Sequence, residues 1–99
     1  METIPDEIQR VHIRVTGRVQ GVGFRAHVEY YGLQIGVTGW VRNVGQNSVE
    51  TIAEGARHQI EKFVELVKQG PRASRVDEAC VEYEPVTGEF NGFDVKRSV

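Results

Sequence analysis

Between Val11 and Ile35 the hydrophobic period changes from every second residue to about every 3.6, across a break that holds three glycines. Val11, Ile13 and Val15 alternate with His12, Arg14 and Thr16, the pattern of a half-buried strand. Gly17, Gly21 and Gly23 follow, and clustered glycines mark a loop. Phe24, Val28, Tyr31 and Ile35 then recur at spacings of four, three and four, a helical stripe. Gly36 is a natural helix stop. Gly32, inside the stripe, costs the helix about 1 kcal/mol against Ala. A strand, a loop and an amphipathic helix in this order must pack together. The helix needs a sheet face to cover, and further strands must supply it.

The rest of the chain supplies them. Val37, Gly39 and Val41 alternate with Thr38, Trp40 and Arg42. Gly45-Gln46-Asn47 is turn chemistry, with Asn47 able to take a left-handed conformation. A strand is expected around Ser48–Glu54. Ile60, Phe63, Val64 and Val67 form a second amphipathic helix, ended by Gly70-Pro71. Ala79, Val81 and Tyr83 alternate with Cys80, Glu82 and Glu84, a fourth strand with an acidic outer face. Phe93 and Val95 can add a short fifth. The order is βαββαβ, which predicts an α+β, ferredoxin-like sandwich: an antiparallel sheet with two helices on one face. With 99 residues there is room for one core. Residues 10–99 are expected to form that single domain, and residues 1–9 a flexible N-terminal extension.

Charge excludes several functions. The net charge is −2, so clustered cations for a nucleic-acid partner are lacking. No apolar run approaches a membrane span, and the acidic start Met1–Glu7 has no signal-like apolar core. One cysteine allows no internal disulfide, and it leads us to expect a cytoplasmic monomer. One cysteine and three scattered histidines, His12, His27 and His58, show no paired ligand spacing, so no metal site is expected. No cofactor is implied.

Against this background one stretch stands out. Ile8–Val28 holds Arg10, Arg14, Arg18 and Arg25 and no carboxylate. A local cationic run on an acidic chain suits a small anion, although composition alone favours a solvated strand face. Gly17-Arg18-Val19-Gln20-Gly21-Val22-Gly23-Phe24-Arg25 lies between strand and helix. Glycines there allow amide N–H groups to curl toward one point, beside the positive end of the helix dipole. Arg25 falls in the first turn, where the dipole disfavours a cation unless an anion sits beside it. No Gly-Lys-Ser/Thr follows and no third glycine completes a dinucleotide fingerprint, so neither nucleotide motif is present. A tight connection and a small-anion site both remain open at this point.

Gly39-Trp40-Val41-Arg42-Asn43 is the second feature. An Asn amide can hold a water in a fixed orientation; it can equally just begin a turn. Trp40 reads as packing and Arg42 as solvated. His12 reads as surface or second-layer, His27 as an ordinary helix position, His58 as exposed and Cys80 as a small packing residue. The strands offer Trp40 and Tyr83 but no aromatic cluster for stacking RNA bases.

Together, Gly17-x-Val19-Gln20-Gly21-Val22-Gly23-Phe24-Arg25 and Gly39-Trp40-Val41-Arg42-Asn43 resemble the acylphosphatase signature. Val49-Glu50, Gly70-Pro71 and Phe93-Asp94-Val95 fit the same family, so the resemblance spans Val11 to Arg97. It implies the ferredoxin-like sandwich and metal-free hydrolysis of the carboxyl-phosphate bond of a small-molecule acyl phosphate, with inorganic phosphate as product. It also implies a phosphate site made of the backbone N–H groups of Gln20, Gly21, Val22, Gly23, Phe24 and Arg25 with the Arg25 guanidinium. Asn43 would orient the attacking water. Many relatives have Asp-Gly in the turn where this chain has Gln46-Asn47; Asn47 can adopt the same left-handed geometry, so the hairpin is expected to survive. Two other classes use this architecture: a phosphate-sensing domain without turnover, and an RNA-binding module. Similar modules also open larger carbamoyl-transfer proteins, but the chain ends at Val99 and a stand-alone enzyme is expected.

Overall fold

β1 (Ile8–Arg18) is the strand around which the sheet is built. Val11, Ile13 and Val15 on one of its faces are fully buried, as their alternation requires. The structure is a computed structural model and describes residues 7–99. After β1 come α1 (Phe24–Ile35), β2 (Thr38–Val44), β3 (Ser48–Ala56), α2 (Arg57–Gln69), β4 (Arg75–Glu84) and β5 (Phe93–Val95). Ile8 and Gln9, placed in the expected extension, are strand residues of β1 opposite Ala56 and Gly55. Residues 1–6 of the expected extension lie outside the described residues.

The sheet runs β4-β1-β3-β2-β5. Its first four strands pair antiparallel, as the βαββαβ order predicts, whereas β5 lies parallel to β2 and makes the sheet mixed. Register decides which residues share a face, because directly opposed residues point the same way. Ile13 opposes Thr51, which opposes Val41; Val15 opposes Val49, which opposes Asn43. Asn43 therefore belongs to the face that carries the core, at the end of β2.

Both helices pack on that face: α1 contacts β2 and β5, and α2 contacts β1 and β3. Phe24 and Val28 from α1 and Ile60, Phe63 and Val67 from α2 close one core with the strand valines. Gln59 links the helices. It accepts from the Ala56 N–H at 2.9 Å, the half of a capping box that an alanine permits, and donates to the Ile35 carbonyl at 3.0 Å.

Three sequence expectations change. Gly32 is more than a weak helix residue: it is buried, and an added Cβ would lie 2.9 Å from the Phe93 ring. It admits β5 to the helix. Asn47 does not take the left-handed conformation; Gly45 does (φ 59°), since glycine reaches it without steric cost. Cys80 is exposed rather than packed, and β4 is mostly exposed because it is the edge strand.

Candidate active site

The loop after β1 reaches α1 through two glycines with positive φ, Gly21 (71°) and Gly23 (81°). Gly23 is the N-cap of α1 and brings no side-chain cap, and no acidic residue stands in the first turn. The first helical N–H groups lack intrahelical partners by geometry. Among the described residues none of the amide N–H groups of residues 20–25 donates to a protein acceptor; the first to do so is His27, to the Gly23 carbonyl at 3.0 Å. Uncommitted amides thus lie beside the positive end of a helix dipole, an arrangement that attracts an anion, and Gly21, Gly23, Phe24 and Arg25 among them line one pocket.

That pocket measures about 330 Å³ and is lined by Val19, Gly21, Gly23, Phe24, Arg25, Ala26, Glu29, Asn43 and Val95. It brings Arg25 and Asn43 together from elements 18 positions apart. Arg25 is half-buried, and among the described residues its guanidinium meets no carboxylate within ion-pair distance. Asn43 is 9% exposed, and its Oδ1 is buried with no hydrogen-bond partner. An unsatisfied buried acceptor costs about 1–3 kcal/mol, so a native fold keeps one only where something else supplies the bond.

Gln20 reaches the site differently from the expectation for its backbone alone. Its Nε2 donates to the carbonyls of Ser48 at 2.9 Å, Gly45 at 3.0 Å and Val44 at 3.3 Å. The side chain clamps the loop onto the β2–β3 hairpin that carries Asn43. The segment after β5 braces that hairpin too: Lys96 N–H donates to Val41 (2.8 Å), Val99 N–H to Asn43 (3.1 Å) and Gly45 N–H to Val99 (2.8 Å). Neither brace is visible as sequence spacing, because each depends on contacts that the sheet order creates.

Of the four clustered arginines only Arg25 lines this pocket. Period-two alternation turns Arg10 and Arg14 to the opposite sheet face. There Arg10 donates to Glu54 (3.0 Å), Glu84 (3.1 Å) and Glu89 (2.8 Å). Arg42, expected to be solvated, pairs with Glu50 at 2.8 Å and stacks over Trp40. His12 is half-buried and is placed between Glu50 and Glu84. His27 is a helix position whose Nε2 lies 3.2 Å from the Leu66 carbonyl, outside the pocket lining. Glu29, one turn after Arg25, is the residue the sequence pattern missed. Only the i, i+4 spacing from Arg25 hinted that it would reach the same wall.

The acylphosphatase family model matches residues 11–95. The acylphosphatase of Trichormus variabilis is 47% identical over 97 residues, covering 98% of this chain and 95% of its own. The crystal structure of acylphosphatase from Bacillus subtilis superimposes with a TM-score of 0.84 at 35% identity, covering 89% of this chain and 98% of that one. Full-length HypF in its phosphate- and nucleotide-bound form matches with a TM-score of 0.84 at 30% identity; the match takes in 99% of this chain but 13% of that protein. Among the described residues no helix is long and apolar enough to cross a membrane.

Proposed function

We propose, for a chain that belongs to the acylphosphatase family, that the pocket between the Gln20–Arg25 loop and Asn43 hydrolyses the carboxyl-phosphate bond of small acyl phosphates. The enzyme is a hydrolase acting on an acid anhydride. The observation that carries the site is the placing of uncommitted donors and Asn43 in one pocket. Among the described residues the amides of Gly21, Gly23, Phe24 and Arg25 and the Arg25 guanidinium have no protein acceptor, and the Asn43 side chain shares the lining with them.

An acyl phosphate is a mixed anhydride whose leaving group is a carboxylate, which departs without a proton. The uncapped N–H groups and Arg25 hold the phosphoryl oxygens and stabilise the charge they gain in the transition state. The Asn43 side-chain amide hydrogen-bonds the water and aims its oxygen at phosphorus, which supplies orientation. The water oxygen bonds to phosphorus and the phosphorus–acyl oxygen bond breaks. The water proton passes to a phosphoryl oxygen, and the products are the carboxylate and inorganic phosphate. Among the described residues no histidine lines the pocket, in keeping with this substrate-assisted proton transfer. All these groups come from one chain, which fits a monomer, and the lone cysteine fits a cytoplasmic protein. The net charge of −2 fits a small-molecule substrate rather than a nucleic acid.

The test is hydrolysis of benzoyl phosphate with chelator present. Arg25→Ala is expected to lose about 10²–10³ in kcat, the effect of removing one preorganised donor, and to weaken phosphate binding. Asn43→Ala is expected to lose comparable turnover while inorganic phosphate still binds. A wild type that binds phosphate without turnover would make this a phosphate-sensing domain.

A further inference from the structure

On the sheet face away from the helices, His12 sits between β3 and β4. Its Nε2 lies 2.6 Å from Glu50 Oε2 and its Nδ1 3.3 Å from Glu84 Oε2. A contact of 2.6 Å with a carboxylate requires a hydrogen between the two atoms, which puts a proton on Nε2. In the neutral ring Nδ1 is then a lone pair that faces a second carboxylate. Glu82, directly opposite His12 in the register, completes a group of three whose ligand atoms lie within 4.8 Å of one another. The gap between Nδ1 and Glu84 is filled either by a proton on Nδ1 or by a cation that replaces it.

We propose that His12 Nδ1 and the carboxylates of Glu82 and Glu84 form a binding site for a zinc-like divalent transition-metal ion. Two ligands of a tetrahedral zinc, each about 2.0–2.1 Å from the metal, stand about 3.3 Å apart, the separation found between Nδ1 and Glu84. Glu50 supplies the outer partner. It takes the Nε2 proton and is itself fixed by Arg42 at 2.8 Å, the carboxylate–histidine–metal arrangement that orients a ligating ring. A cavity of about 150 Å³ lined by His12, Arg14, Glu50, Cys80 and Glu82 gives access. Arg10 holds Glu84 by Oε1 at 3.1 Å, so Oε2 is the oxygen left for the ion. Arg10 is spread over Glu54, Glu84 and Glu89, Arg42 is held by Glu50, and Arg14 is exposed and free to swing away. Among the described residues Glu82 has no ion-pair partner, and it accepts a weak hydrogen bond from the Cys80 thiol at 4.0 Å. Linear spacing hides this set, since His12 and Glu82 become neighbours only through the β1–β4 pairing. The site fastens the edge strand β4 to its neighbour β1 and stands apart from the phosphate pocket, on the other face.

Calorimetric titration of the chain with zinc chloride tests it, in a Cys80→Ser background so that the exposed thiol takes up no metal. A single equivalent is expected. Binding should weaken at least tenfold in His12→Ala and in Glu82→Gln, and about 10–100-fold in Glu50→Gln, the usual effect of losing such an outer partner. Zinc should raise Tm in the parent and leave His12→Ala unmoved. Glu82→Gln breaks no ion pair, so its fold provides the control. No uptake by the folded parent, or equal uptake by parent and His12→Ala, would overturn the site. Neither result bears on benzoyl phosphate hydrolysis, which is measured with chelator.

Discussion

The side-chain amide of Gln20 and the carbonyl of Ser48 meet at 2.9 Å, 28 positions apart in sequence. The bond joins the two motifs of the candidate site: one end lies in the 20–25 loop, the other beside the turn of the hairpin that presents Asn43.

Gln20→Ala removes the donor for three carbonyls but keeps every backbone N–H of the loop. Loop and hairpin can then drift apart, and a misplacement near 1 Å costs up to about 10²-fold in rate. We expect kcat to fall about 10–100-fold while the inhibition constant of inorganic phosphate changes much less. Glu should not rescue, since it cannot donate. A lowered Tm with unchanged kcat would reduce Gln20 to a purely structural clamp.

Among the described residues Glu29 is the one carboxylate that lines the pocket, and it is the residue there best suited to be a general base. Loss of a general base costs about 10²–10⁴-fold. With a phosphoryl oxygen taking the proton, Glu29→Gln should keep kcat within about threefold and bind phosphate somewhat more tightly, because a negative charge leaves the wall. A pH–rate profile near neutrality should keep its shape. A drop of a hundredfold would make Glu29 the base.

The fold was legible wherever burial is one-sided. Val11, Ile13 and Val15, or Ile60, Phe63 and Val67, state their period because one face is dry. β4 misled at Cys80 because an edge strand can alternate without being covered. In the site, Arg25 and Asn43 could be named from their motifs. Gln20's clamp, Glu29 and the 96–99 brace could not, since each depends on which strands become neighbours. The arginine run shows the converse: Arg10, Arg14 and Arg25 are close in sequence, yet alternation in β1 sends the first two to the other face.

Gly32→Ala sets two effects against each other. Helix propensity favours alanine by about 1 kcal/mol. The new Cβ, however, would meet the Phe93 ring at 2.9 Å. That ring is 5% exposed and rests on Phe63 with centroids 5.7 Å apart, so it has no room to retreat. Overpacking of this kind costs about 1–3 kcal/mol. We expect a net loss of stability in urea unfolding, and a gain would show that β5 is loosely held.

The carboxyls of Glu50 and Glu54 make folding sensitive to acid. Burial pushes each up, but hydrogen bonds outweigh it and hold both below the usual carboxylate range. For Glu50 the donors are His12 and Arg42; for Glu54 they are the Thr87 N–H, Arg10, the Gly88 N–H and the Thr87 hydroxyl. A group that titrates lower in the folded state stabilises fully above its unfolded pKa, about 4.3 for Glu, and loses that contribution as pH falls through the folded value. Stability should therefore be flat near neutrality and decline below about pH 4.5. Arg10→Met leaves Glu54, whose side chain is 6% exposed, without its cation. Breaking one side of a buried pair costs about 3–5 kcal/mol, and the variant should lose stability on that scale at pH 7. Its acid decline should be shallower, because the folded Glu54 pKa moves up toward the unfolded one. An Arg10→Met protein with wild-type stability at pH 7 and an unaltered acid limb would mean that the Thr87 and Gly88 amides hold Glu54 unaided.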